Sequence, residues 1–279
     1  MTNIIYVSDA LLSDIIGGGE LNDHELCLEL QRRGHSVKKY RSSQLIEENV
    51  DTSSFYIISN FIMLSSKVKE KIQNTCNYMI YEHDHKYLRN RNPAVFTGYK
   101  APESMVINKE FYKKAKAVFC QSSFHESIIK KNLNLDNLYN VSGNLWSTQS
   151  LETMRILSKK QKDDCYSVMN SLIEHKNTRE ASFYCEKKEY KYSLIASNNY
   201  QEFLSLLSNN DKFIFLPKTP ETLSRVVVEA RMMNIKVITN KRVGASYENW
   251  FNLKGEKLIN YMLKKRTETT DKIIEVING

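Results

Sequence analysis

Two carboxylates, Glu221 and Glu229, stand eight positions apart in a run that begins with the apolar stretch Phe213-Ile-Phe-Leu and passes through two prolines. Leu223, Val226, Val227 and Ala230 recur at i, i+3, i+4 and i+7, so the pattern predicts a helix over Leu223 to Met233 with one buried face. Glu221 precedes that helix and Glu229 lies within it, off the apolar stripe. At about 1.5 Å of rise per residue the two carboxylates are roughly 12 Å apart. That span is too long for sharing a proton or for close acid–base work. It suits two acceptors that hold hydroxyls at opposite ends of one extended ligand. A phosphate between them would meet the helix N-terminus, where Thr222 and Ser224 can cap.

A second candidate is Gly17-Gly18-Gly19-Glu20, between the first strand and the first helix, where backbone N–H groups and the helix dipole favour anions. It departs from the dinucleotide fingerprint, because Asn22 stands where G-x-G-x-x-G would need its third glycine. A third cluster, Glu82-His83-Asp84-His85, follows the strand Tyr78 to Tyr81 directly. Carboxyl ends of strands are where ligands bind in open α/β sheets. Two histidines and two carboxylates could ligate a metal, yet no HExxH spacing is present and no further histidine cluster completes a shell. Hydrogen bonding to a sugar or an acceptor hydroxyl is the preferred role, and no metal is expected.

These residues need a scaffold of alternating strands and helices. Strands are expected at Asn3 to Ser8, His35 to Tyr40, Phe55 to Ser59, Tyr78 to Tyr81, Ala117 to Gln121 and Leu138 to Val141. A helix from about Glu20 to Arg33 ends at Gly34, a C-terminal cap. Gly143 to Glu152 reads as a linker. The second half restarts with strands at Tyr166 to Met169, Tyr192 to Ala196, Phe213 to Leu216 and Ile235 to Thr239. The C-terminal segment Lys257 to Ile277 is helical with an interruption near Thr267 to Thr270. The expected architecture is α/β with mostly parallel sheets in two domains, 1–147 and 148–260. A last helix, 261–279, is expected to pack back on the first domain.

The 279 residues favour two domains. Hydrophobic residues at 41% and charged residues at 26% suit a globular enzyme. No apolar run approaches the roughly 18 to 20 residues of a membrane span. The five cysteines form no CxxC pair, so neither a zinc site nor a disulfide framework is supported, and a reducing cytoplasm is the expected location. The N-terminus enters a strand directly, unlike a signal peptide. The formal net charge is +8, and Lys67 to Lys131 holds 13 Lys/Arg against six Asp/Glu. Such a stretch reads as a solvated lysine-rich surface or as a basic face for an anionic membrane surface, glycan or nucleic acid.

The segment Pro220-Glu221 to Glu229-Ala230 resembles the E-x7-E signature of retaining glycosyltransferases of the GT-B fold, family 4 type. Gly17-Gly18-Gly19-Glu20 is similar to that family's first-loop GG-x-E. His83 and His85 follow a mid-domain strand, as its active-site histidine does. Lys176 stands after the first strand of the second domain, in the place of a phosphate-binding lysine. The resemblance covers most of the chain in layout, and only the C-terminal motif is specific.

It implies two Rossmann-like domains facing across a cleft, with a nucleotide-sugar as co-substrate and no other cofactor. It also implies transfer of the sugar to an acceptor glycan, lipid or small molecule, with retention of configuration and without a metal. In that reading Glu221 holds sugar hydroxyls, Glu229 holds the ribose, and Lys176 faces the diphosphate. Thr222, Leu223 and Arg225 line the donor, and Gly17, Gly18 and Gly19 close over the diphosphate. His85 or His83 contacts the sugar at the reacting centre. Two departures stand out. Ser171 replaces an arginine usual five residues before the lysine, and Asn234 replaces the glycine usual after the E-x7-E helix. Rival readings are a nucleic-acid-binding protein, which lacks any aromatic platform or recognised motif, and a relative that binds nucleotide-sugar without catalysis.

Overall fold

The computed structural model describes residues 1–279. The chain forms two compact units, Met1–Leu145 with Lys265–Gly279, and Trp146–Lys264. The first is built from β1 (Asn3–Ser8), α1 (Gly18–Arg32), β2 (Ser36–Arg41), β3 (Phe55–Ile58), α2 (Ser66–Thr75) and β4 (Asn77–Tyr81). It continues with α3 (Lys109–Lys114), β5 (Val118–Cys120), α4 (Ser123–Leu133) and β6 (Leu138–Asn140). Its six strands lie in the order β2-β1-β3-β4-β5-β6, with every pairing parallel. The order reverses at β1, the position at which such sheets open a ligand crevice.

A parallel sheet is covered on both faces, so its strands are nearly continuous apolar runs whose residues alternate between two cores. Ile5, Val7, Tyr56, Ile58, Tyr78, Ile80, Val118 and Cys120 face one core, with α2, α3 and α4. Ile4, Tyr6, Phe55, Ile57, Met79, Tyr81, Ala117 and Phe119 face the other, with Leu26, Cys27 and Leu30 of α1. The helix α1 stops where Gly34 takes φ 87°, and the His35 amide returns to the Leu30 carbonyl at 3.1 Å.

The second unit runs through α5 (Thr148–Leu157), β7 (Asp163–Met169), α6 (Thr178–Lys187), β8 (Tyr192–Ile195), α7 (Tyr200–Ser208), β9 (Asn210–Phe215), α8 (Arg225–Met232) and β10 (Lys236–Thr239). Its sheet is β10-β9-β7-β8, again all parallel. The last helix, α9 (Gly255–Asn278), begins in this unit, and its residues from Lys265 belong to the first. No helix is long and apolar enough to cross a membrane.

Three elements differ from expectation. Residues 148–152 belong to α5 rather than to a linker, because Ser147 accepts the Ser150 amide as an N-cap while Leu151 and Met154 enter the core. The helix carrying Glu229 starts at Arg225, two residues late. Ser224 adopts φ 74°, and the Leu223 carbonyl accepts from the Ala245 amide instead of starting a helical turn. Finally, α9 runs through Thr267 to Thr270 without a break. Threonines are mediocre helix formers, but Thr269 and Thr270 are buried, and the neighbouring Arg266 pairs with Glu25 and Glu29 at 3.0 and 2.8 Å. Tertiary burial outweighs a propensity deficit of a few tenths of a kcal/mol per residue.

Candidate functional site

In the second unit the residues singled out by sequence converge on the carboxyl ends of β7 and β9. After β7, a short 3-10 turn at Glu174–Lys176 ends at Asn177, whose φ is 61°. Asn177 donates to the Leu216 carbonyl at 2.7 Å, fixing this loop to the one after β9. Glu221 is pinned on both sides of its peptide: its amide donates to the Arg242 carbonyl at 2.7 Å, and its carbonyl accepts from the Gly244 amide at 2.9 Å. Lys176 Nζ thereby meets both carboxylate oxygens of Glu221, at 2.9 and 3.0 Å, and lies 5.8 Å from the centre of the Phe215 ring. The two side chains retain 25% and 13% exposure, so the pair sits at an accessible edge.

Beside the pair, the N-terminus of α8 presents Ser224, which is buried and whose hydroxyl has no partner. Leu223 is buried in the core beneath, and Thr222 is half-buried between it and Glu221. Ser171, in the place of the expected arginine, shapes the loop: its hydroxyl accepts from the Ile173 amide at 3.2 Å, and its own amide donates to Thr178 Oγ1 at 3.0 Å.

Glu229 lies off the apolar stripe of the sequence pattern and is nonetheless enclosed. It is buried, and its Oε1 accepts from Trp146 Nε1 at 2.9 Å and Tyr200 Oη at 2.7 Å. Arg225 lies 3.4 Å from the same oxygen and stacks over Trp146, 4.4 Å from the ring centre. Burial and the neighbouring carboxylate push the Tyr200 phenol well up, so it stays a donor. Trp146 and Tyr200 escape sequence reasoning because they lie 83 and 29 positions from Glu229 and belong to no shared motif.

In the first unit the glycine loop and one histidine come together. Gly17 is the N-cap of α1, and a methyl group on Gly19 would lie 3.6 Å from the His83 ring. His83 is clamped by two groups from distant elements. Asn144 donates to Gln121 Oε1 at 2.8 Å, and Gln121 Nε2 donates to the Glu82 carbonyl at 3.1 Å, which fixes the amide's orientation. The same Nε2 donates to His83 Nδ1 at 2.7 Å, so the ring proton sits on Nε2 and is offered to Asp23 Oδ1 at 2.5 Å. Burial alone would raise the Asp23 carboxyl. Its interactions with His83, Ser59 and Tyr6 outweigh that and hold it below its usual range.

His85 points elsewhere. It is buried against Tyr87, whose hydroxyl lies 2.9 Å from Nδ1, and packs edge-on to His125 with ring centres 5.3 Å apart. Its Nε2 has no partner. Of the two histidines, His83 is the one brought to the glycine loop.

Burial lowers the His85 ring from 6.5 to about 4, although Asp84 pulls the other way. A histidine with a depressed native value leaves full stability above its unfolded value of about 6.5 and loses it as pH falls toward 4, because only the unfolded chain takes up the proton. A shift of that size corresponds to about 3 kcal/mol. Urea midpoints measured from pH 7 to pH 4 are expected to fall more steeply for the native protein than for His85→Gln. Equal slopes would show that His85 does not carry this acid sensitivity.

No protein-family model matches the sequence, and no curated protein matches it. Solved structures do match the fold over its whole length. A sucrose-phosphate synthase from Thermosynechococcus elongatus has a TM-score of 0.67 at 7% identity, covering 100% of both chains. The catalytic domain of starch synthase IV from Arabidopsis thaliana, bound to ADP and acarbose, has a TM-score of 0.58 at 9% identity, covering 99% of this chain and 94% of that one. A UDP-GlcNAc 2-epimerase from Methanocaldococcus jannaschii, in complex with UDP-GlcNAc and UDP, has a TM-score of 0.53 at 14% identity, covering 99% of both. At these identities the likeness establishes the architecture: an α/β chain with two parallel sheets, of the GT-B type.

Proposed function

We propose that this chain is a glycosyltransferase that moves a sugar from a nucleotide-sugar donor to an acceptor hydroxyl. The observation that carries the reading is the Lys176–Glu221 pair, an accessible ammonium and carboxylate held together beyond the carboxyl ends of a parallel sheet. In the reaction Lys176 lies against the diphosphate. Negative charge grows on the departing phosphate as the bond to the sugar breaks, and a preorganised ammonium beside a helix N-terminus stabilises that charge. The Ser224 hydroxyl and the first amides of α8 offer further donors. Glu221 exchanges its contact with Lys176 for hydroxyls of the sugar.

The same reading gives Gly17, Gly18, Gly19 and His83 a share in the donor. It takes the transfer to retain the anomeric configuration and to proceed without a divalent metal. Unchanged turnover in EDTA and the anomer of the product, read by NMR, test those two features. Ser171 leaves Lys176 without the second cation of the related pattern. The solved epimerase shows that this architecture also hosts other nucleotide-sugar chemistry.

The primary test is a thermal-shift screen against UDP-, GDP-, ADP-, CMP- and dTDP-sugars. A donor at 100 times its dissociation constant adds about 2.7 kcal/mol, a shift of several degrees in a chain of this size. Product analysis with the stabilising donor then separates transfer from epimerisation. Absence of any shift across the panel would overturn the reading.

A further inference from the structure

Four side chains of the second unit form one closed cluster. Glu229 stands one turn into α8, and its Oε1 accepts from the Trp146 indole at 2.9 Å and the Tyr200 hydroxyl at 2.7 Å. The Arg225 guanidinium, one turn earlier on the same helix, lies 3.4 Å from that oxygen and covers the Trp146 ring. Trp146 is fully buried, and the Glu229 side chain keeps 3% of its surface. A ligand hydroxyl therefore has almost no carboxylate to touch.

The carboxylate is also costly to release. A hydroxyl that took Oε1 would displace the indole or the phenol, and the displaced group would be a buried donor without its acceptor. One hydrogen bond is gained and one is lost, while a buried polar group is left unmet, so the exchange brings no net gain. Burial and the carboxylate keep the Tyr200 phenol protonated, so it does not yield its place by ionising. In the loop between β8 and α7, at the same end of the sheet, Ser197 and Asn199 are likewise committed. Ser197 Oγ donates to Glu202 Oε2 at 2.6 Å and accepts from the Asn199 amide at 2.9 Å. Asn199 Oδ1 caps α7 by accepting from the Glu202 amide at 3.0 Å.

Where a nucleotide-sugar lies on this unit follows from the transferase reading, on which the inference rests. The diphosphate meets Lys176 and the first amides of α8, and the pentose is the next group along, beside the first turns of that helix. Glu229 is the only carboxylate on α8, about 6 Å of helix rise beyond Arg225.

We infer that the donor's pentose is held without its hydroxyls being read, so that the site takes nucleotide-sugars built on ribose and on 2′-deoxyribose alike. A carboxylate free to accept a ribose hydroxyl would favour the ribonucleotide by about 10–100-fold, the value of a hydrogen bond to a charged group. Here Trp146 and Tyr200 take that acceptor, and affinity comes from groups other than the pentose hydroxyls.

The test titrates the full chain by calorimetry with UDP, ADP, GDP and CDP, each beside its 2′-deoxy and 2′,3′-dideoxy forms. For every base that binds, the dissociation constants are expected to agree within about threefold. A larger preference for the ribonucleotide overturns the inference. Glu229→Gln, measured below its melting temperature, is expected to leave the ratio where it stands. A loss confined to the ribonucleotide in this variant would also overturn the inference, because it would place the carboxylate on the pentose. If no diphosphate of any kind binds, the transferase reading fails and the inference falls with it. Binding with a ribose preference removes the inference alone and leaves the transferase reading standing.

Discussion

Lys176→Met is expected to lower the rate of sugar transfer by about 10²–10³-fold, the usual loss when one preorganised group facing developing charge is removed. Stability is expected to change little. The Lys176–Glu221 pair is partly exposed, and such pairs contribute about 0–1 kcal/mol. Glu221 also keeps its backbone bonds to Arg242 and Gly244 when the lysine is gone. The contrast between a large kinetic loss and a small shift in melting temperature separates a role in the reaction from one in the fold. Single-turnover rates with the donor found by the screen, read beside thermal melts, make the comparison. Glu221→Ala is expected to abolish transfer with the fold equally intact. Full turnover in both variants would remove the pair from the chemistry.

Glu229→Ala is expected to act in the opposite way and destabilise the second unit by about 3–5 kcal/mol. The carboxylate is enclosed, and its removal leaves Trp146 Nε1 and Tyr200 Oη without their acceptor. It also strips the opposite charge from Arg225, whose side chain is 9% exposed. Loss of the charge facing that buried cation accounts for most of the effect. Glu229→Gln also removes the charge facing Arg225 but keeps an acceptor oxygen for the indole and the phenol, so its loss is expected to be smaller than that of Glu229→Ala by about 1–2 kcal/mol. Denaturant midpoints for the two variants decide the matter. Equal and negligible losses would show that Glu229 is free to serve a ligand alone. The two glutamates of one motif are thus expected to separate, with Glu221 affecting rate and Glu229 affecting stability. Any fall in activity of Glu229→Ala has to be measured below its lowered melting temperature before it is read as a lost ligand contact.

Much of the scaffold was legible because a parallel sheet writes itself as short apolar runs. The strand Phe55–Ile58 and the stretch Phe213 to Phe215 are buried on both faces and could be little else. Gly34 was legible as a cap because a helix ending in a left-handed residue favours glycine. The helix α5 was not, since its N-cap and two core residues are modest signals beside the glycine and asparagine just before it. The unbroken course of α9 was not legible either. Its threonines argue locally for a break, and the counterweight is Arg266 reaching Glu25 and Glu29 from more than 230 positions away in sequence.

By itself the amino-acid sequence determined the α/β class, the parallel strands, the glycine loop after the first strand, and the spacing of Glu221 and Glu229 about one helix. Those features depend on short-range pattern: apolar runs, turn residues, and motif spacing along one stretch of chain. Only the tertiary structure decided which of these residues are enclosed by the fold and which stay accessible at its edge. It joined Lys176 to Glu221 across 45 positions and enclosed Glu229 between Trp146 and Tyr200. It turned His83 toward Asp23 and the glycine loop while burying His85. The physical reason is that burial and hydrogen-bond partnership are properties of neighbours in space. For these side chains the deciding neighbours come from other strands and helices, at separations that no local pattern encodes.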